Sequence, residues 1–218
     1  MIERADGSLP TATRPEVGAD PGAWLIAVDP AMERIVMAAG LVKLRPPSSD
    51  YFNALARSIV FQQLAGRAAL AIHGRFAALF DGNPTASAVL AADEAALRAS
   101  GLSANKVAAI RDLARKTSDG TVPLERIEEL DDEEIIARLT TIRGIGRWTA
   151  EMFLIFQLRR PDVWPVDDFA VAKGYGIIHR LAAAPKPREL LRLGEIYRPV
   201  RSAAAWYCWR ANDTVLPD

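Results

Sequence analysis

From Ala23 onward, apolar residues recur three and four positions apart almost without interruption, and almost no stretch alternates with the period of two that a strand requires. That pattern restricts the chain to helices packed on helices. Ser48-Ser49-Asp50 supplies N-cap residues, and Phe52, Leu55, Ile59, Val60 and Leu64 follow as one stripe. A second stripe, Ala69, Ile72, Phe76, Leu79 and Phe80, stops at the breaker Asp81-Gly82-Asn83-Pro84. Further helices are predicted at 86–92, 94–100, 104–117, 132–140, 148–158, 168–181, 188–193 and 201–211. Before them come short pieces around Trp24, Leu25 and Val28 and around Met32, Ile35 and Val36, separated by Asp29-Pro30. The fold class is all-α, about ten short helices with brief connections and no internal repeat. Residues 1–22, rich in Gly, Pro and charge without period, read as an extended N-terminal arm.

Charge excludes little. Lys plus Arg equals Asp plus Glu at 27 each, so global charge does not argue for nucleic acid and local charge must. Lys173, Arg180, Lys186, Arg188, Arg192, Arg198, Arg201 and Arg210 stand against Glu189 and Glu195 alone between Ala170 and Arg210, a candidate basic surface. The acidic run Glu128, Glu129, Asp131, Asp132, Glu133 and Glu134 reads as a solvated face that complements a helix dipole. The single cysteine, Cys208, rules out an intramolecular disulfide, a zinc quartet and a cysteine-ligated iron-sulfur cluster, and it suits a reducing compartment. No signal-peptide core or membrane-length apolar run is present, so a cytoplasmic protein without membrane contact is expected.

The most informative block is 139–150, Leu-Thr-Thr-Ile-Arg-Gly-Ile-Gly-Arg-Trp-Thr-Ala. Gly144 and Gly146 flank Ile145 between two helical patterns. The chain can therefore turn tightly, bury Ile145, and bring N–H groups at a helix start toward a phosphate with no Cβ in the way. A hairpin of this kind grips a nucleic-acid backbone without reading its sequence. Alone it is equally an ordinary connection between helices. About twenty residues on, Trp164-Pro165-Val166-Asp167-Asp168-Phe169 brings a rigid approach and two carboxylates to the mouth of a helix, where either could simply cap it.

The order of these blocks resembles the helix-hairpin-helix DNA glycosylase superfamily, and within it the alkylbase, or 3-methyladenine-DNA glycosylase II, branch. Ile59-Val-Phe-Gln62-Gln63-Leu64-Ala65 is similar to the family's segment that enters the duplex. Gly101-Leu102-Ser103 with Lys106 resembles its next DNA-facing turn, and Tyr197 to Arg210 resembles its last helix. The resemblance implies a two-lobed fold, one lobe about 48–158 with the hairpin and one of 23–47 plus 159–218, with an active-site cleft between them. It implies a monofunctional hydrolase of the N-glycosidic bond of alkylated bases such as 3-methyladenine, acting by base flipping in base excision repair on double-stranded DNA. A monomer is expected, nucleoid-associated if bacterial.

In that likeness the catalytic aspartate falls on Asp168, and Asp167 keeps a capping or supporting role. Loss of the base leaves positive charge on the sugar, and a fixed carboxylate in a water-poor pocket stabilises that charge and can orient the attacking water. An alkylated purine already carries positive charge and leaves easily, so His73 and His179 are not needed as acids and read as ordinary helix residues. Trp148 stands where relatives that cleave the strand carry a lysine; an indole cannot form a Schiff base, so no lyase activity is expected. The pocket is expected to use Trp148, Trp209, Phe169 and Trp164, whose ring faces attract a cationic base, with Met152 where the family often has another aromatic. Gln63 is the expected wedge, beside Leu64, for which core packing is the expected role. Further DNA contacts are expected at Gly144, Ile145, Gly146, Arg147, Thr149, Ser103 and Lys106. No organic or redox cofactor is implied, and the carbonyls of Ile142 and Ile145 are expected to hold a K+ or Na+ ion. Two other readings stay open: a non-catalytic helix-hairpin-helix DNA-binding module, and a same-fold glycosylase for another lesion class. A purely helical interaction protein is a third.

Overall fold

A computed structural model describes residues 20–216, and among them every regular element is helical. The α-helices are α1 (Pro21–Val28), α2 (Glu33–Ala39), α3 (Tyr51–Phe61), α4 (Gly66–Ala78), α5 (Ala86–Ala91) and α6 (Glu94–Ala99). They continue with α7 (Ala104–Ser118), α8 (Asp132–Leu139), α9 (Arg147–Phe156), α10 (Phe169–Ile178), α11 (Pro187–Leu193) and α12 (Arg201–Ala211). Short 3₁₀ turns lie at Pro30–Met32, Leu124–Glu129 and Gly194–Tyr197. The expected arm, residues 1–22, lies outside the described residues up to 19. Pro21 and Gly22, however, already belong to α1: Asp20 caps it by accepting the Gly22 N–H at 3.1 Å, and proline suits the first helical turn.

The described residues divide into two compact units, Arg45–Arg159 and residues 20–44 with 160–216. In the first, α7 is the central helix. Its Val107, Ile110 and Leu113 recur at helical spacing and are buried, and α7 packs against α3 and α5. Burying each such side chain contributes about 1.5–3 kcal/mol. Asp50 caps α3 by accepting the Asn53 N–H at 3.0 Å. The apolar stripe of α3 ends at Val60, because the helix stops at Phe61 and Gln63 turns with φ +55°. Leu64, expected in the core, is therefore 38% exposed.

The second unit closes around Leu25, Met32, Ile35, Val171, Tyr175, Tyr197, Tyr207 and Cys208. Trp164 belongs to this core: it is 5% exposed and its indole N–H donates to Leu190 O at 2.8 Å. It is thus a structural aromatic and not part of a pocket. Gly194 packs on it so tightly that a Cβ would lie 2.2 Å from Nε1. His179 is also more than an ordinary helix residue. It ends α10, stacks on Tyr175 at 4.0 Å, and places Nε2 3.2 Å from both Tyr197 Oη and Asp29 Oδ2. Asp29 further accepts the Tyr197 hydroxyl at 2.5 Å. The expected basic surface is partly neutralised here, since Arg198 and Arg201 pair with Asp162 and Glu195.

Candidate functional site

The hairpin between α8 and α9 is built from backbone hydrogen bonds and one outside carboxylate. Ile142 N donates to Leu139 O and Ile145 N to Ile142 O, each at 3.0 Å, while Ile142 and Ile145 bury their side chains. The Arg143 N–H donates to Asp112 Oδ2 at 2.8 Å, and Lys116 donates to Thr141 O. Burial pushes the Asp112 carboxyl up, but the Arg143 N–H with Lys116 and Arg115 holds it below its ordinary value. Sequence reading missed Asp112 and Lys116 because nothing local to α7 marks them as hairpin supports.

The two hairpin glycines differ. Gly144 sits at φ +80°, a conformation that a side chain strains to adopt, and is required by the turn itself. Gly146 is extended at φ −95° and a Cβ there would meet nothing within 4 Å. The fold therefore does not demand glycine at 146. Both residues are exposed at the start of α9, and among the described residues their N–H groups have no hydrogen-bond acceptor. That leaves donors at the positive end of a helix open to an anion.

The neighbouring expected contacts fare unevenly. Arg147 pairs with Glu133 at 2.5 Å and Glu151 at 3.0 Å, so its guanidinium is already engaged; Glu133 is correspondingly not just part of a solvated face. Thr149 is buried and lines a cavity, so it presents no surface contact. Ser103 is exposed and caps α7 by accepting the Lys106 N–H. The Lys106 ammonium does not point outward: it donates to Val60 O at 2.6 Å and Gln62 O at 2.9 Å, and burial pushes its pKa down. Gln63 is exposed beside Leu64.

A cavity of about 670 Å³ lies between α3 and α9. Trp148, 47% exposed, and Met152 line it together, with Phe61, Phe153 and Phe156. Arg57 is the one charged residue of its lining, and its guanidinium carbon lies 4.1 Å from the Phe61 ring centre. No sequence signal singles out Arg57; on a helical projection it is one more surface position.

Asp168, Phe169 and Trp209 belong to the other unit. Asp168 is 7% exposed and is itself the N-cap of α10, accepting the Val171 N–H at 2.9 Å. The capping role expected of Asp167 thus falls to Asp168, and Asp167 is exposed. Phe169 is 77% exposed, while Trp209 is partly buried against the unit's core.

The model of the HhH-GPD superfamily base excision DNA repair proteins matches residues 56–199. The DNA-3-methyladenine glycosylase 1 of Schizosaccharomyces pombe is 37% identical over 218 residues, covering 97% of this chain and 92% of that protein. A solved structure of the S. pombe 3-methyladenine DNA glycosylase in complex with abasic DNA superposes with a TM-score of 0.77 at 38% identity, over 87% of this chain and 95% of that one. A DNA-3-methyladenine glycosidase from Bacillus halodurans gives 0.82 at 31% identity, over 89% and 90%. The hairpin at 139–150 and the Asp168 cap both lie inside the matched span, and the chain belongs to the HhH-GPD superfamily of base excision DNA repair proteins.

Proposed function

We propose that this chain is a DNA glycosylase that removes alkylated bases, such as 3-methyladenine, from double-stranded DNA by hydrolysis of the N-glycosidic bond. The observation that carries this reading is its likeness to the S. pombe DNA-3-methyladenine glycosylase over nearly the whole length of both proteins. The open hairpin N–H groups support backbone binding, with Gly146 leaving room where the fold needs none.

In this reading the extruded nucleotide leaves its stack, at a cost of a few kcal/mol, and Gln63 fills the gap. As the glycosidic bond breaks, its electron pair departs with the base and positive charge grows on the sugar. The Asp168 carboxylate stabilises that charge, orients the water that adds to the sugar carbon and accepts the proton which that water loses. Its hydrogen bond from the Val171 N–H holds the carboxylate in place at the start of α10. Trp148 supplies a ring face and no amine, so the strand stays intact after base loss.

A K+ or Na+ ion at the hairpin is part of the proposal. Ile142 O accepts one hydrogen bond and keeps a second lone pair, so a cation bound by backbone oxygens fits the turn. Among the described residues no cluster of His, Cys, Asp or Glu offers a side-chain metal site. A cytoplasmic place of work and a monomeric state complete the reading; among the described residues no helix is long and apolar enough to cross a membrane.

The test is release of free base from methylated duplex DNA, with strand breaks scored before and after alkali. Base release with breaks appearing only after alkali is the expected result. Tight binding without base release would favour the non-catalytic module, and breaks before alkali would remove the monofunctional assignment.

A further inference from the structure

Three hydrogen bonds join the end of α3, α7 and the hairpin. Lys106 Nζ donates to Val60 O at 2.6 Å and to Gln62 O at 2.9 Å. Gln62 Nε2 donates to Gly144 O at 2.9 Å. The carbonyls at a helix C-terminus have no intrahelical N–H to accept, and a cation there also offsets the negative end of the dipole. Beyond them the backbone turns sharply: Gln62 is extended at ψ 133°, Gln63 is left-handed at φ +55°, and Leu64 N reaches back to Phe61 O at a long 3.4 Å. A non-glycine residue in that conformation costs on the order of 1 kcal/mol and persists where its surroundings hold it. The weak turn bond is a poor candidate for that; the two Lys106 contacts are strong ones, because a charged donor shortens and strengthens both carbonyl bonds, and Gln62 adds a neutral bond to the hairpin.

We infer that Lys106 and Gln62 are positioning residues for base extrusion, holding the exposed Gln63–Leu64 turn in one conformation and fastening it to Gly144 of the hairpin. The segment that enters the duplex and the turn that grips its backbone then move as one piece. Lys106 is accordingly not a phosphate contact, although its place in the sequence suggests one. The inference rests on the reading of Gln63 as the residue that enters the duplex. A turn ordered during folding avoids the entropy loss that a floppy one meets at the moment of insertion, so the benefit is felt in extrusion rather than in encounter. All the groups involved lie in the Arg45–Arg159 unit, and the arrangement needs no ligand to form.

The experiment uses the full chain and a duplex with 2-aminopurine beside a stable abasic-site analogue. The probe brightens when an inserted side chain unstacks it, whether or not any base is released. Lys106→Met, Lys106→Arg, Gln62→Leu and Gln63→Ala are compared with wild type for this signal, for the salt dependence of affinity, and for single-turnover base release. Lys106→Met is expected to keep the wild-type slope of log affinity against log salt, to lose most of the brightening, and to slow base release by about tenfold, the scale of one lost charge-assisted hydrogen bond. Lys106→Arg is expected to restore both signals, and Gln62→Leu to move them the same way as Lys106→Met by less. Gln62 lies at the surface, so it carries the test if Lys106→Met melts far below wild type. A slope reduced by about one with full brightening would make Lys106 a phosphate contact and overturn the inference. So would a variant indistinguishable from wild type in every signal. Full brightening by Gln63→Ala would instead sink the wedge reading itself.

Discussion

Gly174 on α10 faces the Cys208 carbonyl on α12 so closely that a Cβ at 174 would lie 1.8 Å from that oxygen. The two helices meet backbone to backbone, and α10 carries Asp168 at its N-cap. Adding one methyl group must push the helices apart. Gly174→Ala is expected to cost about 3 kcal/mol, which lowers the melting temperature by roughly 6–12 °C in a chain of this size. Thermal unfolding followed by circular dichroism measures it, and a wild-type melt would mean that the helices separate without penalty.

Asp168→Asn separates charge from capping. Asparagine caps a helix nearly as well as aspartate, so stability should change by less than about 1 kcal/mol, and DNA affinity should persist. Base release should fall by about a hundred- to a thousandfold, the loss typical when a transition-state charge goes unstabilised. Asp168→Ala should lose activity and also about 1 kcal/mol of cap energy. Comparable turnover by Asp168→Asn, measured as free base released, would remove Asp168 from the chemistry.

The hairpin glycines should respond in opposite ways. Gly146→Ala is expected to melt within about 1 kcal/mol of wild type, because its Cβ meets nothing, yet to bind duplex DNA about tenfold more weakly as the methyl blocks a phosphate. Gly144→Ala is expected to lose about 1–2 kcal/mol of stability from its positive φ. Binding titrations paired with melts distinguish the two, and unchanged affinity for Gly146→Ala would argue against a phosphate at that turn.

Acidification should destabilise the second unit through Asp29. Burial pushes this carboxyl up, but hydrogen bonds from His179 and Tyr197, the His179 charge and the Ala31 N–H together leave it below its ordinary value. A depressed carboxylate contributes stability above its unfolded pKa, and that contribution disappears as pH falls through the folded value, here below about pH 4. The other titratable groups around it, Tyr175, Tyr197 and Cys208, are pushed upward by burial and stay neutral through that range. Asp29→Asn should therefore melt lower than wild type at pH 7 and show a flatter dependence between about pH 5 and 3. Parallel curves for the two proteins would exclude Asp29 as the source of the acid sensitivity.

Much of this protein could be read from one dimension. Helical spacing and capping residues located α3 through α12 to within a few residues, since both act over a single turn: Asp50 caps its own third neighbour, and Val107, Ile110 and Leu113 share a face whatever packs on it. Gly144-Ile145-Gly146 and the approach to Asp168 were legible for the same reason, because a tight turn and an N-cap are local geometries.

What sequence could not decide were the partners of long side chains, whose heads reach far from their own turn. Lys106 looks like a DNA contact until α3 ends against it. Trp164 looks like a pocket ring until Leu190 takes its N–H, and Arg147 looks like a free cation until Glu133 and Glu151 meet it. Leu64 fell outside the core because its helix stopped three residues early, a choice made by carbonyls captured from α7 rather than by propensity in α3. Local periodicity determined which elements form and where the hairpin and the capping carboxylate lie. Tertiary packing decided which polar groups are tied up inside the fold, because these bonds, Arg147–Glu151 excepted, join residues from 14 to 46 positions apart and leave no periodic mark on the chain.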